Sequence, residues 1–97
     1  MATLLTGSSL EDAIATVDGW SGDASGIHRT VELADFAAAI SLVNSVAEVA
    51  EEMDHHPDID IRWATLTFSN VTHYMGGVTE RDIKLAGRIN ELIAAAR

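Results

Sequence analysis

The stretch EEMDHHPDIDI, Glu51 to Ile61, sets two adjacent histidines between a run of carboxylates and the chain's only proline. Proline lacks a backbone N–H and pushes the residue before it, here His56, out of the α region, so a helix must stop at this point. Upstream, Phe36, Ile40, Val43, Ala47 and Ala50 form one apolar stripe at helical spacing, and Leu42, Val46, Val49 and Met53 form a second beside it. The periodicity predicts a helix over about residues 36–53, with Asp35 as its N-cap and a face wide enough to lie across a sheet and meet a neighbouring subunit. Downstream, the period changes to two. Ile59, Ile61 and Trp63 share one parity and Leu66 and Phe68 the other, so either a strand bends near Trp63-Ala64 or two short strands meet there.

Working outward, Ser8 and Glu11 have capping-box spacing ahead of a short helix that places Leu10, Ile14 and Val17 on one face and ends near Asp18-Gly19. Trp20 opens the Gly/Ser-rich WSGDASG, read as a short strand and a turn. Ile27, Val31 and Leu33 then alternate with polar residues, the period of a half-buried strand. After the loop NVTHYMGGVTERD, Thr79 and Asp82 can cap a last helix with Ile83, Ala86, Ile89, Leu92 and Ile93 on its buried face. The expected fold is α+β: a small antiparallel sheet of about four strands, covered on one face by three helices, in the order α-β-β-α-β-β-α. Trp63 is expected to pack in the core or at its rim.

The 97 residues are read as a single domain, 1–97. A chain of this size buries roughly 60–68% of its unfolded surface. Its apolar 47% includes only two Phe, two Trp and one Tyr, so aliphatic side chains must fill the core, and pairing with a second copy would help. There is no cysteine, which removes disulfides and thiolate metal sites. No basic leader precedes an apolar run, and no stretch reaches the ~20 apolar residues needed to span a bilayer. A soluble, cytoplasmic protein is expected. Six basic residues against fifteen acidic ones give a net charge of −9, which repels phosphate backbones and argues against nucleic-acid binding.

The histidines can be read two ways. A helix stop explains Pro57, but any polar pair would serve in place of His55-His56. Both rings stand just beyond a helix C-terminus, where the macrodipole favours positive charge, with Glu51, Glu52, Asp54 and Asp58 close in sequence. Imidazoles in such surroundings suit general acid–base work. Glu48, Glu51 and Glu52 themselves oppose the macrodipole at that end, a cost with no obvious structural reason. Taken alone, His73 is a loop histidine and Asp82 a capping carboxylate.

Together these residues form a pattern. Glu51, Asp54, His55, His56 and Pro57, then Thr72-His73, then Gly77-Val78-Thr79, Asp82 and Ala86 closely resemble the signature of the pterin-4a-carbinolamine dehydratase family. The match is dense in the C-terminal half; Gly19-Trp20 and Asp35-Phe36 extend it thinly into the N-terminal half. Ile59 and Ile61 stand where relatives often carry aromatics, and Trp63 where a Tyr is common, so the stacking walls differ.

The resemblance implies a hydro-lyase that converts 4a-hydroxytetrahydropterin to quinonoid dihydropterin in tetrahydropterin recycling, on a carbinolamine made by aromatic amino acid hydroxylases. By the same resemblance His55, His56 and His73 line the pterin site and share the proton transfers, with His56 and His73 foremost. Asp82 orients a histidine while capping the last helix, and Glu51 bonds the pterin or His55. Pro57 shapes the site, and the Thr72 backbone and the Gly76-Gly77 turn let a flat ring approach. No metal or redox cofactor is implied, and a homodimer or homotetramer is expected. An alternative of the same fold is a non-enzymatic dimerisation or regulatory partner. A zinc site from His55, His56, His73 and Asp82 ranks last, because adjacent histidines rarely converge on one ion.

Overall fold

The computed structural model describes residues 3–96; Met1, Ala2 and Arg97, which the 1–97 domain reading includes, lie outside them. The elements run α1 (Gly7–Ala15), β1 (Ser21–Asp23), β2 (Gly26–Glu32), α2 (Phe36–Met53), β3 (Asp58–Arg62), β4 (Thr65–Asn70), a 3-10 turn (His73–Met75) and α3 (Glu80–Ala96). The strands form one antiparallel sheet in the order β1-β2-β4-β3. This is the α-β-β-α-β-β-α arrangement expected from the sequence.

Register explains which face is buried. Ile27 pairs with Asn70, Arg29 with Phe68, Val31 with Leu66, and Ile59 with Phe68, so all of these side chains point to one face. There they meet Val46 of α2 and Leu85, Ile89 and Ile93 of α3 in one core. The opposite face carries His28, Thr30, Glu32, Asp58, Asp60, Arg62, Thr67 and Ser69; the Thr30 and Thr67 hydroxyls bond across it at 2.9 Å. Alternate polar residues therefore keep this face in water.

The phase change after Pro57 is a hairpin. Arg62 pairs with Thr65 and leaves Trp63 and Ala64 as a two-residue loop. Trp63 has φ +61°, the first loop position where glycine ordinarily sits, and its side chain is 84% exposed, not packed in the core or at its rim. A left-handed L-residue costs about 1–2 kcal/mol, part of which glycine returns through its freer unfolded chain. Trp63→Gly is therefore expected to stabilise the protein by about 0.5–1 kcal/mol in urea unfolding. Destabilisation would mean that the indole packs on something outside this chain.

Two expectations need correction. The Ser8–Glu11 capping box does not form: α1 begins earlier, at Gly7, with Thr6 as N-cap, and the Ser9 hydroxyl turns back to the Thr6 carbonyl at 2.7 Å. On α2 the Leu42/Val46/Val49 stripe is buried, whereas Phe36 is 51% exposed and Ile40 and Val43 only half-buried. Asp35 caps α2 as expected, accepting the Ala38 N–H at 2.8 Å.

Two exposed carboxylates are held below their usual range. The Ser25 hydroxyl and then the Ser25 N–H hold Asp23 ionised in the β1–β2 turn. Glu80 is held by its own N–H and by that of Thr3. Lowered carboxyl values add stability above the ordinary carboxylate range, and that stability is lost as pH falls through the folded values. Both contacts therefore weaken only in acid.

Candidate functional site

Helix α2 ends in a Schellman motif. The His55 N–H reaches the Ala50 carbonyl at 3.0 Å, the Asp54 N–H reaches that of Glu51 at 3.2 Å, and Asp54 takes φ +51°. The left-handed residue reverses the chain direction between the two histidines and the helix, and Pro57 then delivers it into β3. As a result the adjacent rings part company: His55 is buried and His56 exposed.

Inside, His55 Nε2 lies 2.6 Å from Asp82 Oδ1. Asp82 is fully buried on the first turn of α3, and its Oδ2 accepts the Thr72 hydroxyl and the Thr79 N–H, each at 2.8 Å. Three donors converge on an acceptor-only carboxylate, so the imidazole donates through Nε2, and in the neutral ring Nδ1 is the acceptor. Because the Thr72 proton goes to Asp82, the Thr79 hydroxyl, 2.8 Å away, must donate to Thr72. It in turn accepts the Arg81 N–H at 3.2 Å. The bonds run one way, from Arg81 through Thr79 and Thr72 to Asp82, an arrangement in which each polarises the next. Thr79 and Asp82 thus cap α3 as the sequence suggests, although the Thr79 hydroxyl takes the Arg81 N–H and not that of Asp82, and the network continues into His55.

Asn70, at the end of β4 and almost fully buried, donates its amide to the Asp82 carbonyl at 3.1 Å. Sequence reading passed over it, because a lone Asn after a strand looks like a turn residue. It passed over Arg81 too, since a cation in a helix's first turn reads as a solvated surface charge.

Outside the network, His56 Nε2 bonds Glu51 Oε2, and both side chains are exposed. Glu51 thus pairs with His56, one turn beyond the helix stop, and not with His55. His73 is also exposed, at the start of the 3-10 turn. Thr72 and Gly77 exchange both backbone hydrogen bonds, at 3.1 and 3.4 Å, which closes the loop and fixes where His73 stands. A side chain at Gly77 would come within 2.9 Å of the Ala24 carbonyl oxygen and 3.0 Å of Leu4, so this glycine admits the protein's own N-terminal half. Gly76, at φ +73°, has open space beside it.

The structure therefore joins His55, Thr72 and Asp82 directly. His56 and His73 are each one residue away from that network and face solvent. Among the described residues, no cluster of three or more metal-ligating side chains occurs. No helix among them is long and apolar enough to cross a membrane.

A protein from Mycolicibacterium smegmatis, provisionally named a pterin-4-alpha-carbinolamine dehydratase, is 44% identical over 91 residues, covering 94% of this chain and 97% of its own. A Nocardia farcinica protein with the same provisional name is 49% identical over 89 residues, covering 92% and 94%. The crystal structure of a transcriptional coactivator/pterin dehydratase from Brucella melitensis superposes with a TM-score of 0.88 at 33% identity, over 93% of this chain and 98% of that one. A pterin dehydratase-like RuBisCO assembly factor of the alpha-carboxysome shares the fold, with a TM-score of 0.62 at 18% identity over 75% and 84%. The model of the pterin 4 alpha carbinolamine dehydratase family matches residues 3–92, spanning the Schellman turn, both histidine segments and the Asp82 network, and the chain belongs to that family.

Proposed function

We propose that the protein is a hydro-lyase that dehydrates a 4a-hydroxytetrahydropterin to the quinonoid dihydropterin, with His55, His56 and His73 sharing the proton transfers. The observation that supports this reading is the pair of exposed imidazoles, His56 and His73, each the next residue along the chain from a member of the buried His55–Asp82–Thr72 network. In the reaction a ring-nitrogen lone pair forms the C4a=N bond as the C4a–O bond breaks. An acid protonates the departing hydroxyl, a base removes a ring-nitrogen proton, and water leaves. Both transfers need groups that gain and lose protons near neutral pH, and imidazole is the side chain suited to that. Glu51 holds the His56 ring in place through its hydrogen bond; Asp82 holds His55 in one tautomer.

The first test is the dehydration rate of freshly generated 4a-hydroxytetrahydropterin, followed in the ultraviolet under metal-free conditions. Acceleration over buffer is expected, and a wild-type rate equal to buffer would sink the reading. Glu51→Gln should lower the rate by about tenfold to a hundredfold while moving stability by less than about 1 kcal/mol, since the pair is exposed.

A second reading is favoured by one feature. The half-buried outer stripe of α2, with Phe36 at its start, suits a partner helix, either in a homodimer or homotetramer or in a non-enzymatic regulatory complex. Sedimentation of wild type and Val43→Glu would separate these assemblies from a monomer.

A further inference from the structure

The guanidinium of Arg81 touches three pieces of chain that sequence separates widely. Its Nη2 donates to the carbonyls of Met53 and Asp54, both at 2.9 Å, and its Nη1 lies 3.4 Å from the Tyr74 hydroxyl. Its backbone N–H bonds Thr79 within the Asp82 network. Arg81 therefore meets the turn that carries His55 and His56, the 3-10 turn that carries His73, and the helix that carries Asp82.

The contacts with Met53 and Asp54 extend the capping at the end of α2. Its Schellman bonds satisfy the Ala50 and Glu51 carbonyls, and Arg81 takes those of Met53 and Asp54. The last turn of α2 holds no basic residue of its own. The positive charge that this C-terminus calls for thus arrives from α3. One peptide group is held from both sides: the Asp54 carbonyl by Arg81 and the following His55 N–H by Ala50. That peptide is the hinge on which His55 and His56 turn.

We propose that Arg81 is a positioning residue for the histidine site, whose guanidinium fork sets the His55–His56 turn against the His73 turn; its catalytic consequence rests on the dehydratase reading. The fork matters beyond the charge. A guanidinium presents several N–H groups in one plane and can serve two carbonyls and a phenol together, whereas an ammonium is a compact point charge on a flexible stem. Small displacements of catalytic groups cost large factors in rate. Without the fork the turn keeps its Schellman bonds but gains freedom at the hinge, so reaction is affected more than binding.

The test uses Arg81→Lys, which keeps the charge and removes the fork, with Arg81→Met beside it. Steady-state kinetics on a 4a-hydroxytetrahydropterin would be measured together with the nitrogen resonances of the histidine rings. In both variants kcat should fall about tenfold or more while KM changes by less than about threefold. The ring signals of His55, His56 and His73 should shift or broaden, and those of His28, on the far face of the sheet, should not. A Lys variant with wild-type kcat, or histidine spectra that superpose on wild type, would overturn the proposal. If wild type proved inactive on the pterin while the three site histidines still responded to Arg81→Lys, the dehydratase reading would fail and the positioning role would stand.

Discussion

Asp82→Ala should destabilise the protein by about 3–5 kcal/mol, since three buried donors lose their acceptor at roughly 1–3 kcal/mol each. The size follows from what is left behind. The Thr72 hydroxyl, the Thr79 N–H and the His55 ring all lose an acceptor in a place where Asp82 has no exposure to water. The first turn of α3 loses its cap as well. Urea unfolding of the variant measures the loss directly, and a cost under about 1 kcal/mol would mean that water reaches these groups. Asp82→Asn separates the folding role from the chemical one. Its carbonyl oxygen can still serve Thr72 and Thr79, but its amide then faces His55 and drives the ring proton from Nε2 to Nδ1. Stability should fall by only about 1–2 kcal/mol, whereas dehydration should slow by about 10²–10⁴, the cost of a misplaced proton on a working imidazole.

His56→Ala and His73→Ala should show the opposite balance. Both side chains face solvent, so each substitution should stay within about ±0.5 kcal/mol in stability. Each should nevertheless lower the dehydration rate by about 10²–10⁴, the usual contribution of a general acid or base. Rate measurements over pH 5–9 would add the assignment: losing the acid removes the alkaline limb of the profile, and losing the base removes the acid limb. Two variants with wild-type rates would move the proton transfers to His55 and its Nδ1. His55→Ala is less informative, because it strands the Asp82 carboxylate and mixes folding with chemistry.

The sequence was legible wherever one local rule dominated. Asp35 before an apolar run fixed the start of α2, Pro57 fixed where it could not continue, and alternation gave β2 and β4 their buried faces. The reading was weaker where two rules compete. Ser8 and Glu11 offered a capping box, but the chain had already entered the helix at Gly7. Trp63 looked like a packing residue from its size, yet the hairpin needed a loop residue at that position and placed it outside. For the site, the resemblance to the dehydratase signature picked out His55, His56, His73, Thr72 and Asp82. It could not show which of two adjacent histidines would be buried. That depends on a left-handed Asp54, a conformation usually given to glycine or asparagine, so no breaker residue marked it. Arg81 and Asn70 escaped because their partners are main-chain carbonyls, which have no signature in sequence.

The double employment of Asp82 also bears on how related chains should be judged. A descendant that abandoned pterin chemistry for assembly or regulation would still have to cap its last helix and satisfy Thr72, so folding alone would preserve the buried carboxylate and its neighbours. Nothing in folding protects His56 or His73 from drift. Retention of the buried trio therefore records ancestry, and on the dehydratase reading it is the two solvent-facing imidazoles, His56 and His73, that record present employment.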